Sequence, residues 1–123
     1  MKQLLLAEDE DVLRSLILDT LEDEGYEIHE ACDGEEAEAL AASKKFDLIL
    51  LDYMMPAKTG LEVISTIRTG GINKNTKIMM LTAKSQKSDE KMIMEAGADY
   101  FLSKPFSPML LVDKVEEILK EDE

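Results

Sequence analysis

Residues 46–56 read FDLILLDYMMP. Four apolar residues, Leu48-Ile49-Leu50-Leu51, run without a break into Asp52, and turn chemistry follows at once in Tyr53-Met54-Met55-Pro56. A short apolar run with no polar alternation fits a strand covered on both faces, the kind found in parallel sheets. A carboxylate placed where such a strand surfaces is either a turn former or a reactive group held on a rigid base. The rest of the chain has to decide between them.

Working outward, two kinds of segment alternate. Short β-rich runs occur at Gln3–Ala7, Glu27–Ala31, Leu48–Asp52, Lys77–Thr82 and Tyr100–Ser103. Between them the apolar period is helical. Val12, Leu13, Leu16, Ile17, Thr20 and Leu21 form one stripe, with Gly25 as a stop. Residues 35–44 are alanine-rich, with Asp33 as N-cap. Leu61, Ile64 and Ile67 line a third helix that ends at Gly70-Gly71, and residues 88–96 form a more polar fourth. Ser107-Pro108 opens a fifth that carries Leu111, Val112, Val115 and Leu119 inward. The order is strand–helix, five times, with no linker or repeat. It predicts one domain over 1–123, an α/β doubly wound (βα)5 sandwich with a parallel sheet and helices on both faces.

Composition narrows the function. The chain has 123 residues, 27 acidic and 14 basic, for a net charge of −13, so direct nucleic-acid binding is disfavoured. No apolar run approaches the length of a membrane span, so no membrane association is expected. Cys32 is the single cysteine, which rules out an internal disulfide and points to a reducing cytoplasm. Lone His29 reads as a packed or surface imidazole within a strand.

In doubly wound sheets the working crevice lies beyond the carboxyl ends of the strands. The first run delivers Glu8, Asp9 and Glu10 there, the third Asp52, the fourth Thr82 and Ala83, and the fifth Lys104-Pro105. Each has a dull explanation alone, such as Glu10 and Asp11 charging a helix N-terminus. Clustered carboxylates raise one another's pKa and persist comfortably only around a shared cation. All-oxygen ligands favour a hard ion, Mg²⁺ before Mn²⁺ or Ca²⁺. With an ammonium beside them, they describe a phosphoryl-transfer site.

The acidic pair Glu8-Asp9, Asp52 ahead of Met55-Pro56, Gly60, Leu81-Thr82-Ala83 and Lys104-Pro105-Phe106 together resemble the receiver domain of two-component response regulators. The resemblance covers essentially all of residues 2–121. It implies the strand order 2-1-3-4-5. It implies Asp52 as phosphoacceptor from a partner's phosphohistidine. It places Mg²⁺ (Mn²⁺ as a possible substitute) on Asp9, Glu8, Asp52 and the Met54 main-chain carbonyl. Lys104, before a cis bond to Pro105, would pair with a phosphoryl oxygen, and Thr82 would donate its hydroxyl to another. Ala83 keeps that approach open, and Phe101 is the aromatic switch residue. Phosphorylation would then remodel the surface of the fourth helix, fifth strand and fifth helix. Partners would be a sensor histidine kinase or histidine phosphotransferase and a downstream protein target, with a monomer or a phosphorylation-dependent dimer. The protein would catalyse only its own phosphorylation and dephosphorylation.

Three departures qualify the likeness. Glu8 stands where the family more often has Asp, and Phe101 replaces the commoner Tyr. Met54 and Lys84 occupy the positions that tune dephosphorylation, and a methionine orients water poorly, which suggests a longer-lived acyl phosphate. A stand-alone receiver is expected, with the excised N-terminal receiver of a larger transcriptional regulator as the alternative. An aspartyl-phosphate phosphatase would need a second acid at position 54, and a flavodoxin-type cofactor module would need a Ser/Thr/Gly-rich loop after the first strand.

Overall fold

The computed structural model describes residues 1–83 and 87–121. Its elements alternate as β1 (Gln3–Ala7), α1 (Asp11–Glu22), β2 (Glu27–Ala31), α2 (Gly34–Ser43), β3 (Leu48–Asp52), α3 (Gly60–Arg68), β4 (Lys77–Thr82), α4 (Lys87–Ala96), β5 (Tyr100–Ser103) and α5 (Pro108–Glu121). All five strands pair in parallel in the order β2-β1-β3-β4-β5. The expected strand bounds and sheet order are both observed.

Strand alternation divides the core into two layers. Leu5, Ala7, Ile49, Leu51, Ile78 and Met80 point toward α2, α3 and α4, meeting Ala37, Ala41, Val63, Ile64 and Ile93. Leu4, Leu6, Leu48, Leu50, Met79 and Leu81 point the other way, onto Ile17 and Leu21 of α1 and Leu111, Val115, Ile118 and Leu119 of α5. Every residue of β3 is buried, so the strand that bears Asp52 is walled on both faces. β2, at the sheet edge, is polar and half-exposed. There His29 shares its Nε2 between Gln3 Oε1 at 3.0 Å and Glu27 Oε2 at 3.3 Å, and its ring meets Phe46 edge-on.

Two helix stripes differ from expectation. On α1 only Ile17 and Leu21 are buried, whereas Val12 is 78% and Leu16 47% exposed. That layer takes only Ile17 and Leu21 from α1, with Leu13 packed at its edge, and α5 supplies Leu111, Val115, Ile118 and Leu119. On α5, Ile118 joins the buried set and Val112 stays half-exposed. The caps at Asp33 and Ser107 form as expected, with the side chains accepting from Glu36 N at 2.8 Å and Leu110 N at 3.1 Å. A full capping box at Thr59 and Glu62 starts α3. The sequence signal for it is the Thr-x-x-Glu spacing.

Two glycines set the loop that follows Asp52. Gly60 lies so close beneath β3 that a Cβ there would stand 2.5 Å from the Asp52 carbonyl oxygen and 2.9 Å from Met80 Sδ. Its N–H donates to the Tyr53 carbonyl at 2.9 Å. Gly34 makes the same approach from α2, with 2.2 Å between a Cβ and the Lys58 carbonyl oxygen. Backbone is a poor neighbour to displace, so Gly60→Ala should destabilise the fold by about 1–3 kcal/mol. Urea unfolding checks this, and the Asp52 and Tyr53 amide shifts should move with the strand.

Candidate functional site

The carboxyl ends of β1, β3, β4 and β5 bring the expected side chains together. Glu8 and Thr82 are fully buried, Asp52 is 5% exposed, and Asp9 stands at the open side. Carboxylate oxygens of Glu8, Asp9 and Asp52 all lie within 4.8 Å of one another. Lys104 reaches into this group: its Nζ donates to Glu8 Oε1 at 3.0 Å and Asp52 Oδ1 at 2.9 Å. An open cleft of about 430 Å³ above them is lined by Asp52, Tyr53, Met54, Thr82, Ala83 and Lys104.

Local structure explains each placement. Glu8 leaves β1 with its N–H on the Ala31 carbonyl of β2 at 3.1 Å, and its Oε2 accepts from the Glu10 N–H at 3.1 Å. Both carboxylate oxygens are therefore engaged, as burial demands. Asp52 ends the walled strand, and the next N–H, of Tyr53, bonds the Leu81 carbonyl of β4 at 2.9 Å. Lys104 is held by its own N–H on the Thr82 carbonyl at 2.7 Å, and the Lys104–Pro105 bond is cis. Thr82 continues the face of Ile78 and Met80, where Phe101 also packs, half-buried. Tyr100 occupies the opposite face against α5, with its hydroxyl on Glu121. Met54 is 60% exposed at the rim, while the Tyr53 hydroxyl meets Met92 Sδ of α4 at 3.8 Å. Lys84 lies outside the described residues.

Electrostatics follow from this crowding. Burial is the largest influence on Asp52 and raises its pKa; the Lys104 ammonium opposes it, and the Asp9 and Glu8 carboxylates add to the rise, leaving it at about 7. Burial alone would lower the Lys104 pKa, yet its bonds to Asp52 and Glu8 outweigh that and raise it. The donor set, three close carboxylates with a buried floor and one exposed arm, fits a hard divalent cation. A second close group, Cys32, Asp33 and Glu36, is already used in starting α2: Glu36 accepts from the Cys32 N–H and thiol, and Asp33 from the Glu36 N–H.

The family model for the response regulator receiver domain matches residues 4–116. The chain belongs to the receiver-domain family of response regulators. Among proteins of known function, this receiver is similar to the transcriptional regulatory protein SrrA of Staphylococcus aureus, with 41% identity over 118 residues. That match takes in 96% of the receiver and 48% of SrrA, so the chain spans about half the length of that relative. Among solved structures, the chemotaxis response regulator CheY4 of Vibrio cholerae superposes with a TM-score of 0.91 at 35% identity, over 96% of the receiver and 98% of CheY4. The response regulator TrrA of Thermotoga maritima, in complex with Mg²⁺ and BeF, superposes with a TM-score of 0.84 at 39% identity, over 96% and 99%.

The raised Asp52 pKa carries a stability consequence for the metal-free receiver. Its folded value lies above the unfolded value near 3.8, so the folded state holds the extra proton between these limits. Stability from this group is therefore lost as pH rises from about 4 to about 7 and then stays level. In EDTA, Asp52→Asn should raise the melting temperature by a few degrees at pH 8, with the gain fading toward pH 4. Lys104 keeps Glu8 as a partner in that variant. Thermal melts across pH check the trend.

Proposed function

We propose that Asp52 is the phosphoacceptor of this receiver and that phosphorylation there switches its α4-β5-α5 surface. The observation that carries this reading is the single ammonium of Lys104 shared between two buried carboxylates, with Asp9 alongside. An oxygen of Asp52 attacks the phosphorus of a partner's phosphohistidine. The P–N bond breaks, its electron pair leaves with the imidazole nitrogen, and that nitrogen takes a proton from solvent. The product is an acyl phosphate on Asp52. Lys104 then pairs with a phosphoryl oxygen, and the Thr82 hydroxyl donates to another. The domain thus acts by positioning and charge neutralisation, and catalyses only its own phosphorylation and dephosphorylation.

Asp9, Asp52, Glu8 (directly or through water) and the Met54 carbonyl would hold Mg²⁺, with Mn²⁺ as a substitute. When bound, the ion neutralises phosphoryl oxygens and favours the ionised Asp52. Partner approach is supported by a second depression of about 460 Å³, lined by Leu13, Leu16, Pro105 and Phe106 and sharing Ala83 and Lys104 with the cleft. A histidine kinase or phosphotransferase seated there would bring its histidine to Asp52. Met54, exposed at the rim, carries no group that orients water, which favours a long-lived phosphoryl adduct.

A second reading concerns output. SrrA, a transcriptional regulatory protein about twice as long as the part matched here, supports a receiver within a larger regulator, whereas CheY4, matched over 98% of its chain, supports one that stands alone. The mass of the native gene product separates the two.

Acetyl phosphate with Mg²⁺ should add one phosphoryl group, seen by intact mass, that is absent in EDTA and in Asp52→Asn. An adduct that persists in Asp52→Asn removes the reading. Separately, Thr82→Ala should accept phosphate yet leave the amide shifts around Phe101 still. Shifts that move as in the parent would take the switching role from Thr82.

A further inference from the structure

The β1–α1 connection carries three carboxylates in succession, Glu8, Asp9 and Glu10, and a fourth, Asp11, opens α1. Helices α2 and α3 begin on side-chain caps at Asp33 and Thr59, whereas α1 begins at Glu10 with none. The acidic loop is held instead by Arg14, one turn into α1. Its Nη1 donates to the Glu8 carbonyl at 2.8 Å and its Nη2 to Asp11 Oδ1 at 2.6 Å. Its Nε lies 3.4 Å from Glu30 Oε1, at the end of β2, and the side chain is 18% exposed. One planar fork therefore ties both ends of the loop to each other and to the neighbouring strand.

We infer that Arg14 is a positioning residue for the cation site, fixing the loop from which Glu8 and Asp9 present their carboxylates. This rests on the Mg²⁺-dependent reading above. Arg14 acts on a bound cation in two opposed ways. Its positive charge repels the ion, and its bonds hold the ligands in place. Outer-shell contacts of this kind alter metal affinity by about 10-fold or more when lost, while a screened like charge at a distance changes it less.

Substitution separates the two effects. Arg14→Lys keeps the charge but draws its donors from one nitrogen and cannot span the Glu8 carbonyl and Asp11 as the fork does. Arg14→Met keeps the length and removes the charge. Mg²⁺ is titrated into each protein and followed by the amide shifts of Asp9 and Asp52, with amides of β4 and α5 reporting the fold. Positioning predicts binding about tenfold weaker in both variants, with the β4 and α5 amides unmoved. Charge alone predicts tighter binding in Arg14→Met and parent-like binding in Arg14→Lys. That result overturns the inference, and Arg14→Lys decides alone should Arg14→Met fail to fold. A parent that binds Mg²⁺ and takes a phosphoryl group, beside an Arg14→Lys that binds equally well, defeats only the role of Arg14. A parent that binds no Mg²⁺ defeats both readings.

Discussion

Two buried carboxylates, Glu8 and Asp52, face each other at the end of the sheet, and the ammonium of Lys104 between them is what makes that tolerable. Unpaired, a buried charge costs far more than any local packing returns. The three residues come from β1, from β3 and from the end of β5, so their meeting requires the whole strand order to be correct. Lys104 reaches across β4 because its own N–H is tied to the Thr82 carbonyl. The charge cluster and the sheet topology thus specify each other.

The alternation of strands and helices is legible in unbroken apolar runs and helical stripes, whereas the strand order comes from the resemblance to receiver domains and no periodicity shows it. All five strand bounds follow from runs such as Leu48–Leu51, and the convergence at the strand ends follows from topology alone. Less visible was which part of a helix stripe finds a partner. Val12 and Leu16 look like core residues by spacing, yet the layer takes only Ile17 and Leu21 from that stripe, and no local pattern encodes which half of it is buried. Thr59 and Glu62 carry a capping box that the Thr-x-x-Glu spacing encodes locally. Arg14 was harder, because its importance lies in a backbone carbonyl six residues away that only the folded loop presents.

Glu8 stands where the resemblance leads one to expect Asp, and its carboxylate is fully engaged. It satisfies two donors at once, the Lys104 ammonium and the Glu10 amide, while the residue stays wholly buried. Phe101, by contrast, shares the face of Thr82 without a hydroxyl to anchor its rotamer, and Tyr100 beside it is committed to the opposite layer. The two aromatic neighbours are therefore not interchangeable, although they are adjacent in the chain.

The close seating of Gly60 under the Asp52 carbonyl has a mechanical corollary. A strand walled on both faces and braced by a helix backbone at van der Waals limits has almost no compliance. Any change of charge on Asp52 then leaves its own Cα in place, and the displacement has to be taken up by the side chains that touch it. Stiffness beneath the carboxylate directs the response outward, much as a fixed anvil sends the force of a blow into whatever rests on it.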